Sequence, residues 1–236
     1  MATKEALITL SKALFTELNE MPYFRNSAAA SGAPHNYSKH EDAVEAVFKK
    51  HGLARWELSE RGKISTDTYK SWIDTPSLAS AMPPMTYISQ PCGSNESPDF
   101  IVKLADKVVL GIECKSAEGT KPQYNSGSIK RGYIYVFCSK KAEKTTIYVG
   151  KDVMSPEQDA IIKELIGKQK ALEIEYNEKL HKCDVLHKRG IDYYTRPMIT
   201  QKGVAAYTDY FIHHEKEQCE KNVHLFVEAM IEAAFI

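Results

Sequence analysis

The chain has 236 residues, 43% hydrophobic and 26% charged, which supports one ample core or one core with a helical appendage. Its 31 basic and 31 acidic residues cancel, so the charge total advertises no polyanion partner; a nucleic-acid binder of this composition has to segregate charge into a cleft. No apolar run is long enough to span a bilayer, the N-terminus lacks the apolar core of a secretion signal, and five widely spaced cysteines without a Cys-x-x-Cys pair read as reduced thiols of a cytoplasmic protein. In chain order, residues 3–20 read as a helix with Ala6, Leu7, Leu10, Leu14 and Leu18 as its apolar stripe. Ala28 to Pro34 reads as a loop or linker. His40 to Gly52 reads as a second helix: Val44, Val47 and Phe48 form its stripe, Lys49, Lys50 and His51 complement its C-terminal dipole, and Gly52 stops it. Glu41 and Glu45 lie one turn apart on one side of that helix. Residues 54–59 suit a first strand, and residues 60–95, with prolines at 76, 83, 84 and 91, suit an irregular insertion that lines whatever cleft precedes the next strand.

Asp99 to Leu104 and Val108 to Lys115 carry the most chemistry. They read as a hairpin joined by Ala105-Asp106-Lys107. Strand side chains alternate faces, so Val108, Leu110, Ile112 and Cys114 share an apolar face while Val109, Gly111, Glu113 and Lys115 share the other. With Leu104 opposite Val108, counting outward puts Val102 opposite Leu110 and Asp99 opposite Glu113. Two carboxylates so close repel unless a cation lies between them. Mg²⁺ suits the pair, because it takes oxygen ligands, keeps several waters and often uses one or two carboxylates plus a substrate phosphate. The main-chain carbonyl of Cys114, beside Glu113, is a further candidate ligand, and Lys115 emerges one pleat beyond on the same face.

Downstream, Lys121, Gln123, Asn125, Lys130 and Arg131 form a basic and polar loop before the strand-like Tyr133 to Cys138, and Thr145 to Val149 reads as another strand. Ser155-Pro156-Glu157-Gln158 is a helix start with a reciprocal cap, opening a helix to about residue 187. Ile162, Leu165, Leu172, Tyr176 and Leu180 would pack it on the core, with a second subunit as the other option. Arg189, Arg196, Gln201 and Lys202 lie among tyrosines, a mixture suited to phosphate and base-edge contacts. Tyr207 to Ile212 reads as a strand, and the chain ends in a helix from about Glu215.

Pro98-Asp99, a thirteen-residue spacer and Glu113-Cys114-Lys115 together resemble the motif of the PD-(D/E)XK nuclease superfamily, which includes most type II restriction endonucleases. The resemblance implies an α/β (α+β) fold: a restriction-endonuclease-like core with a central mixed β-sheet flanked by helices, here within residues 38–150 of a single 1–236 nuclease domain. Residues 151–236 would form a helical and basic-loop extension contacting DNA or a second subunit. It further implies Asp99, Glu113 and Lys115 as catalytic residues, Mg²⁺ as cofactor and Glu41 as a helix acid near the metal, with Glu45 as the fallback. Independently of the resemblance, the insertion before Asp99 offers Gln90, Ser94 and Asn95 as polar readers. The implied activity is cleavage of double-stranded DNA at a short sequence by a homodimer, with a companion DNA methyltransferase acting on the same site. A repair or junction-resolving nuclease, and a catalytically silent DNA-binding module, are the alternatives.

Overall fold

A computed structural model describes residues 3–23, 38–93, 96–125, 127–183 and 189–236. The Ala28–Pro34 stretch, Ser94, Asn95 and the expected end of the long helix near residue 187 fall outside the described residues. The first helix, α1 (Lys4–Glu20), opens with Thr3 accepting from the Ala6 N–H at 3.2 Å. It buries Leu7, Ser11, Leu14, Phe15 and Leu18, whereas Ala6 is exposed and Leu10 only half-buried, so the buried face is rotated from the stripe expected above. Helix α2 (Ser38–Lys50) buries Val44, Val47 and Phe48 and ends before Gly52, whose φ of +79° supplies the left-handed stop.

Strand β1 is only Ala54–Arg55, not residues 54–59: the Trp56 N–H still donates to the Tyr87 carbonyl at 2.8 Å while its ring stacks on Trp72 at 6.4 Å, and the chain turns helical at Leu58. The insertion expected to be irregular contains three regular pieces after the short helix α3 (Leu58–Arg61). Ser65 caps α4 (Thr66–Asp74), Pro76 opens a 3₁₀ turn, and Thr86–Ser89 forms strand β2. The prolines punctuate these pieces instead of preventing them.

Strands β3 (Phe100–Ala105), β4 (Val108–Ala117), β5 (Ile134–Ser139) and β6 (Lys144–Val149) complete a six-stranded mixed sheet in the order β1-β2-β3-β4-β5-β6. The β1/β2 and β4/β5 pairs are parallel and the rest antiparallel. The β3–β4 turn is shorter than expected: Ala105 pairs with Val108 across Asp106-Lys107, and Lys107 takes φ +63°. A register shift between Lys103 and Ala105 leaves Leu104 unmatched, so Leu104 does not face Val108. The two differences cancel, and Val102 still faces Leu110.

Both sheet faces are buried. On one, α1, α2 and the C-terminal helix α7 (Lys216–Ala234) pack over Val102, Leu110, Ile112, Val136 and Ile147. On the other, α4, the 3₁₀ turn and a set of tyrosines cover Ile101, Val109, Tyr135 and Phe137. The near-continuous Val108-Val109-Leu110-Gly111-Ile112 run is therefore that of a central strand. A Cβ on Gly111 would lie 2.8 Å from Ile73, so the glycine lets α4 sit close to β4.

Helix α5 (Pro156–Cys183) opens on the reciprocal cap: Ser155 Oγ accepts from Gln158 N–H, and Ser155 N–H donates to Gln158 Oε1. It packs on the core only at its root, where Ile162 meets the second core cluster and Asp159 accepts from Ser128; beyond that the expected face is exposed, and the helix fully buries no residue. It is supported by i,i+4 pairs such as Lys163–Asp159, Lys168–Glu164 and Lys179–Glu175 and by the returning chain, where Tyr193 and Asn177 exchange two hydrogen bonds. Helix and return strap together form an arm. The Tyr207–Ile212 stretch is not a strand: a short helix, α6 (Ala205–Thr208), leads into turns that wedge Tyr210 and Phe211 against Phe137. Among the described residues no helix is long and apolar enough to cross a membrane.

Candidate active site

The hairpin is staggered. Phe100 opposite Ile112 is the last rung of the β3–β4 ladder, and β4 runs on through Ala117 with only β5 beside it. One step past that rung, Asp99 comes across from Glu113. The Asp99 carboxylate occupies the edge of β4 that β3 has vacated, where Oδ2 accepts from the Cys114 N–H at 2.7 Å. An extended residue's carbonyl shares the edge of its own N–H, so the Cys114 carbonyl lies on that side too. The Cys114 side chain packs against the opposite, apolar cluster.

A cleft of about 700 Å³ opens at this edge. Glu41, Asp99, Glu113 and Lys115 all line it. Glu113 is buried, and the Lys115 ammonium donates to its Oε1 at 2.6 Å and to Asn125 Oδ1 at 3.5 Å. Glu41 reaches the cleft from the first turn of α2, where Gln90 Nε2 donates to its Oε2 at 2.9 Å and to Asp99 Oδ1 at 3.0 Å. Burial, then the charge of Asp99, raise the Glu41 carboxyl to about 7. Burial likewise raises Asp99, against the opposing pull of the Cys114 N–H, Lys115 and Gln90. Glu45 is turned elsewhere, bonded to Lys49, Tyr87 and Arg55, so of the two helix acids Glu41 is the one that lines the cleft.

The opposite wall joins two distant segments. Tyr124 and Ile199 pair main chain to main chain, Lys121 Nζ donates to the Gln201 carbonyl at 3.1 Å, and Arg196 Nε donates to the Asn125 carbonyl at 3.0 Å. Lys121, Gln123, Asn125, Arg196, Gln201 and Lys202 thereby line one cleft. Beneath them the hydroxyls of Tyr124, Tyr148 and Tyr210 bond at 2.8 and 2.9 Å and fix the loop to the sheet.

Three expected contact residues lie elsewhere. The Lys130 N–H bonds to the Tyr135 hydroxyl, and Arg131 Nη1 donates to the Met154 carbonyl, so both belong to the root of α5. Arg189 is exposed on the arm, away from the cleft lining. Gln90 does not line the cleft; its amide is taken up by Glu41 and Asp99. His40 was missed. It lines the cleft beside Glu41, buried to 3% exposure, and burial lowers its pKa toward the neutral ring. Its Nε2–H donates to the Val136 carbonyl at 3.1 Å, and its Nδ1 has no partner among the described residues. The only sequence signal was its place at the start of a helix next to an acid.

Comparisons with protein-family models, curated proteins and solved structures find no match for this chain. Among the described residues no three His, Cys, Asp or Glu side chains already form a cage for a cation. The donor set nonetheless suits a hard ion of low protein-ligand demand. Glu41, Asp99 and Glu113 supply oxygens to one cleft, where the Lys115 ammonium is bonded to Glu113, and burial raises two of the three carboxyl pKa values. A bound cation would relieve that crowding.

Proposed function

We propose that this protein is a Mg²⁺-dependent deoxyribonuclease of the PD-(D/E)XK type, a type II restriction endonuclease with the corresponding core. The observation that carries the reading is the staggered hairpin, which brings Asp99 across from Glu113 with the Lys115 ammonium 2.6 Å from the Glu113 carboxylate, at the floor of a cleft with a basic wall.

Asp99, Glu113 and the Cys114 carbonyl would hold the cation, with Glu41 nearby to engage its water shell. Bound there, Mg²⁺ supplies Lewis acidity toward water and a phosphate oxygen. Lys121, Arg196 and Lys202 would grip the phosphates of a duplex, and Gln123, Asn125 and Gln201 would face base edges. In the reaction a water oxygen attacks phosphorus and gives up a proton to solvent, a bridging P–O bond breaks, and the leaving oxygen takes a proton from solvent. Lys115 orients that water and offsets charge gathering on the phosphoryl oxygens. Its contact with Glu113 keeps the ammonium where this charge develops.

Cutting both strands of a duplex takes two such sites of opposite polarity, and the described residues contain one acid cluster of this kind. A second copy of the chain would supply the other. The arm offers it a surface: Ile161, Leu165, Leu172, Tyr176 and Leu180, on one side of α5, are 41–67% exposed, and acids and lysines in near-equal number flank them. A near-neutral apolar stripe suits a protein partner better than a polyanion.

The test is digestion of plasmid DNA with Mg²⁺. Discrete bands are expected, and Asp99→Ala, Glu113→Ala and Lys115→Ala should each remove cleavage. Smears or a preference for branched substrates would turn the reading to a repair or junction-resolving enzyme. Binding without cleavage by the unaltered protein would reduce it to a silent DNA-binding module. Normal cutting by Asp99→Ala refutes the site.

A further inference from the structure

Gln90 follows β2 in the left-handed region, at φ +49°, a conformation that L side chains adopt at a cost. Its main chain is tied on both sides: the N–H donates to the Asp99 carbonyl at 2.7 Å, and the carbonyl accepts from Gly93 at 3.1 Å. Its side-chain amide has two N–H hydrogens, and two acids are within reach. Nε2 gives one to Glu41 Oε2 and one to Asp99 Oδ1. Ionised carboxylates only accept, so this contact sets which way the amide lies. The other end, Oε1, is buried with no partner among the described residues. A left-handed backbone and an unpartnered oxygen are two local costs at one residue, and both follow from aiming a double donor at Glu41 and Asp99.

Gln90 does not line the cleft. Its partly buried amide bridges the two acids. We infer that Gln90 is a positioning residue that yokes Glu41 on α2 to Asp99 at the start of β3, and so makes Glu41 part of the cation-holding set. Without the yoke, two like charges from different elements repel, and α2 carries Glu41 away from the hairpin acids. The inference rests on the metal reading of Asp99 and Glu113 given above. It adds a residue outside the motif, and a physical reason for the helix acid to be held in place.

The experiment measures Mn²⁺ binding to the full chain without DNA, by titration calorimetry, and separately the Mg²⁺ concentration giving half-maximal cleavage. Gln90→Met keeps the bulk and removes both donors. Partners that orient metal ligands typically account for about 10–100-fold in metal affinity. Gln90→Met is expected to weaken Mn²⁺ binding at least about tenfold and to raise the Mg²⁺ requirement by a similar factor, with a smaller fall in rate at saturating Mg²⁺. Gln90→Asn, with two donors on a shorter stem, should recover part of the loss. In a Glu41→Gln background, where one charge is gone, Gln90→Met should add little. Thermal melts in EDTA report folding; if Gln90→Met fails to fold, Gln90→Asn and Glu41→Gln carry the same comparison. Unchanged Mn²⁺ affinity in a folded Gln90→Met overturns the inference, while loss of binding in Asp99→Ala leaves the metal site standing. Unchanged affinity in Asp99→Ala removes the metal site, and the yoke with it.

Discussion

Replacing Glu41 by glutamine keeps the side-chain length and the acceptor that Gln90 reaches, and removes one charge from the cleft. Burial foremost, then the Asp99 charge, lift this carboxyl from an ordinary 4.5 to about 7. That gap is about 2.5 pH units, or about 3.4 kcal/mol at about 1.36 kcal/mol for each. Glu41 is only half-buried, and screening by water brings the penalty to about 1–2 kcal/mol. The folded state binds the proton more tightly than the unfolded state. The wild type therefore loses stability as pH rises from 4.5 to about 7, and the loss is complete above that value. Below 4.5 the carboxyl is neutral in both states, and glutamine imitates it. Urea unfolding in EDTA should find Glu41→Gln close to wild type near pH 4.5 and more stable by about 1–2 kcal/mol near pH 8. Saturating Mg²⁺ near pH 8 should narrow the difference, because a cation favours the ionised acid. An equal difference at both pH values would refute the reasoning.

A Cβ on Gly150 would fall 2.1 Å from the Lys130 carbonyl oxygen and 3.1 Å from the Arg131 Cα, all main chain that cannot step aside. Gly150→Ala should therefore cost about 2–4 kcal/mol in urea unfolding, whereas Gly132→Ala, with nothing within 4 Å of its Cβ, should cost under about 0.5 kcal/mol. Leu165→Lys with Leu172→Lys should leave the fold within about 0.5 kcal/mol of wild type, since both side chains are more than half exposed in the single chain. Sedimentation should show the same pair weakening self-association by at least about tenfold, because burying two ammonium groups in an apolar contact is costly. A doubly substituted protein that associates like wild type rules out the arm as the contact.

The sheet was legible where periodicity and burial agree. Val108 to Lys115 alternates cleanly, and its parity put Glu113 and Lys115 together and Cys114 on the far side, as found. The hairpin register was reached through a wrong turn, since the Leu104 irregularity restored the residue that the shorter loop removed. Composition misled in two places. Tyr207 to Ile212 is rich in strand-forming residues, but its aromatics serve as wedges in a core whose sheet is already complete. Past Ile162 the α5 stripe has helical spacing without a core to meet, because spacing reports that a face is apolar and not what covers it. Gln90 was legible as polar and near the site. Its role was not, because it depends on α2 coming back over the sheet from forty-nine residues earlier in the chain. The basic wall followed the same rule: Lys121 and Gln201 meet through folding alone, eighty residues apart.

The arm leaves the body just past Ser155 and comes home as one wall of the cleft, at Arg196, Gln201 and Lys202. Its outer length bears no weight from the sheet. Insertions and deletions there can lengthen, shorten or retwist the span while the acids stay where they are. A lineage of such chains has a place in which to vary one wall of the cleft without moving the acids on its floor.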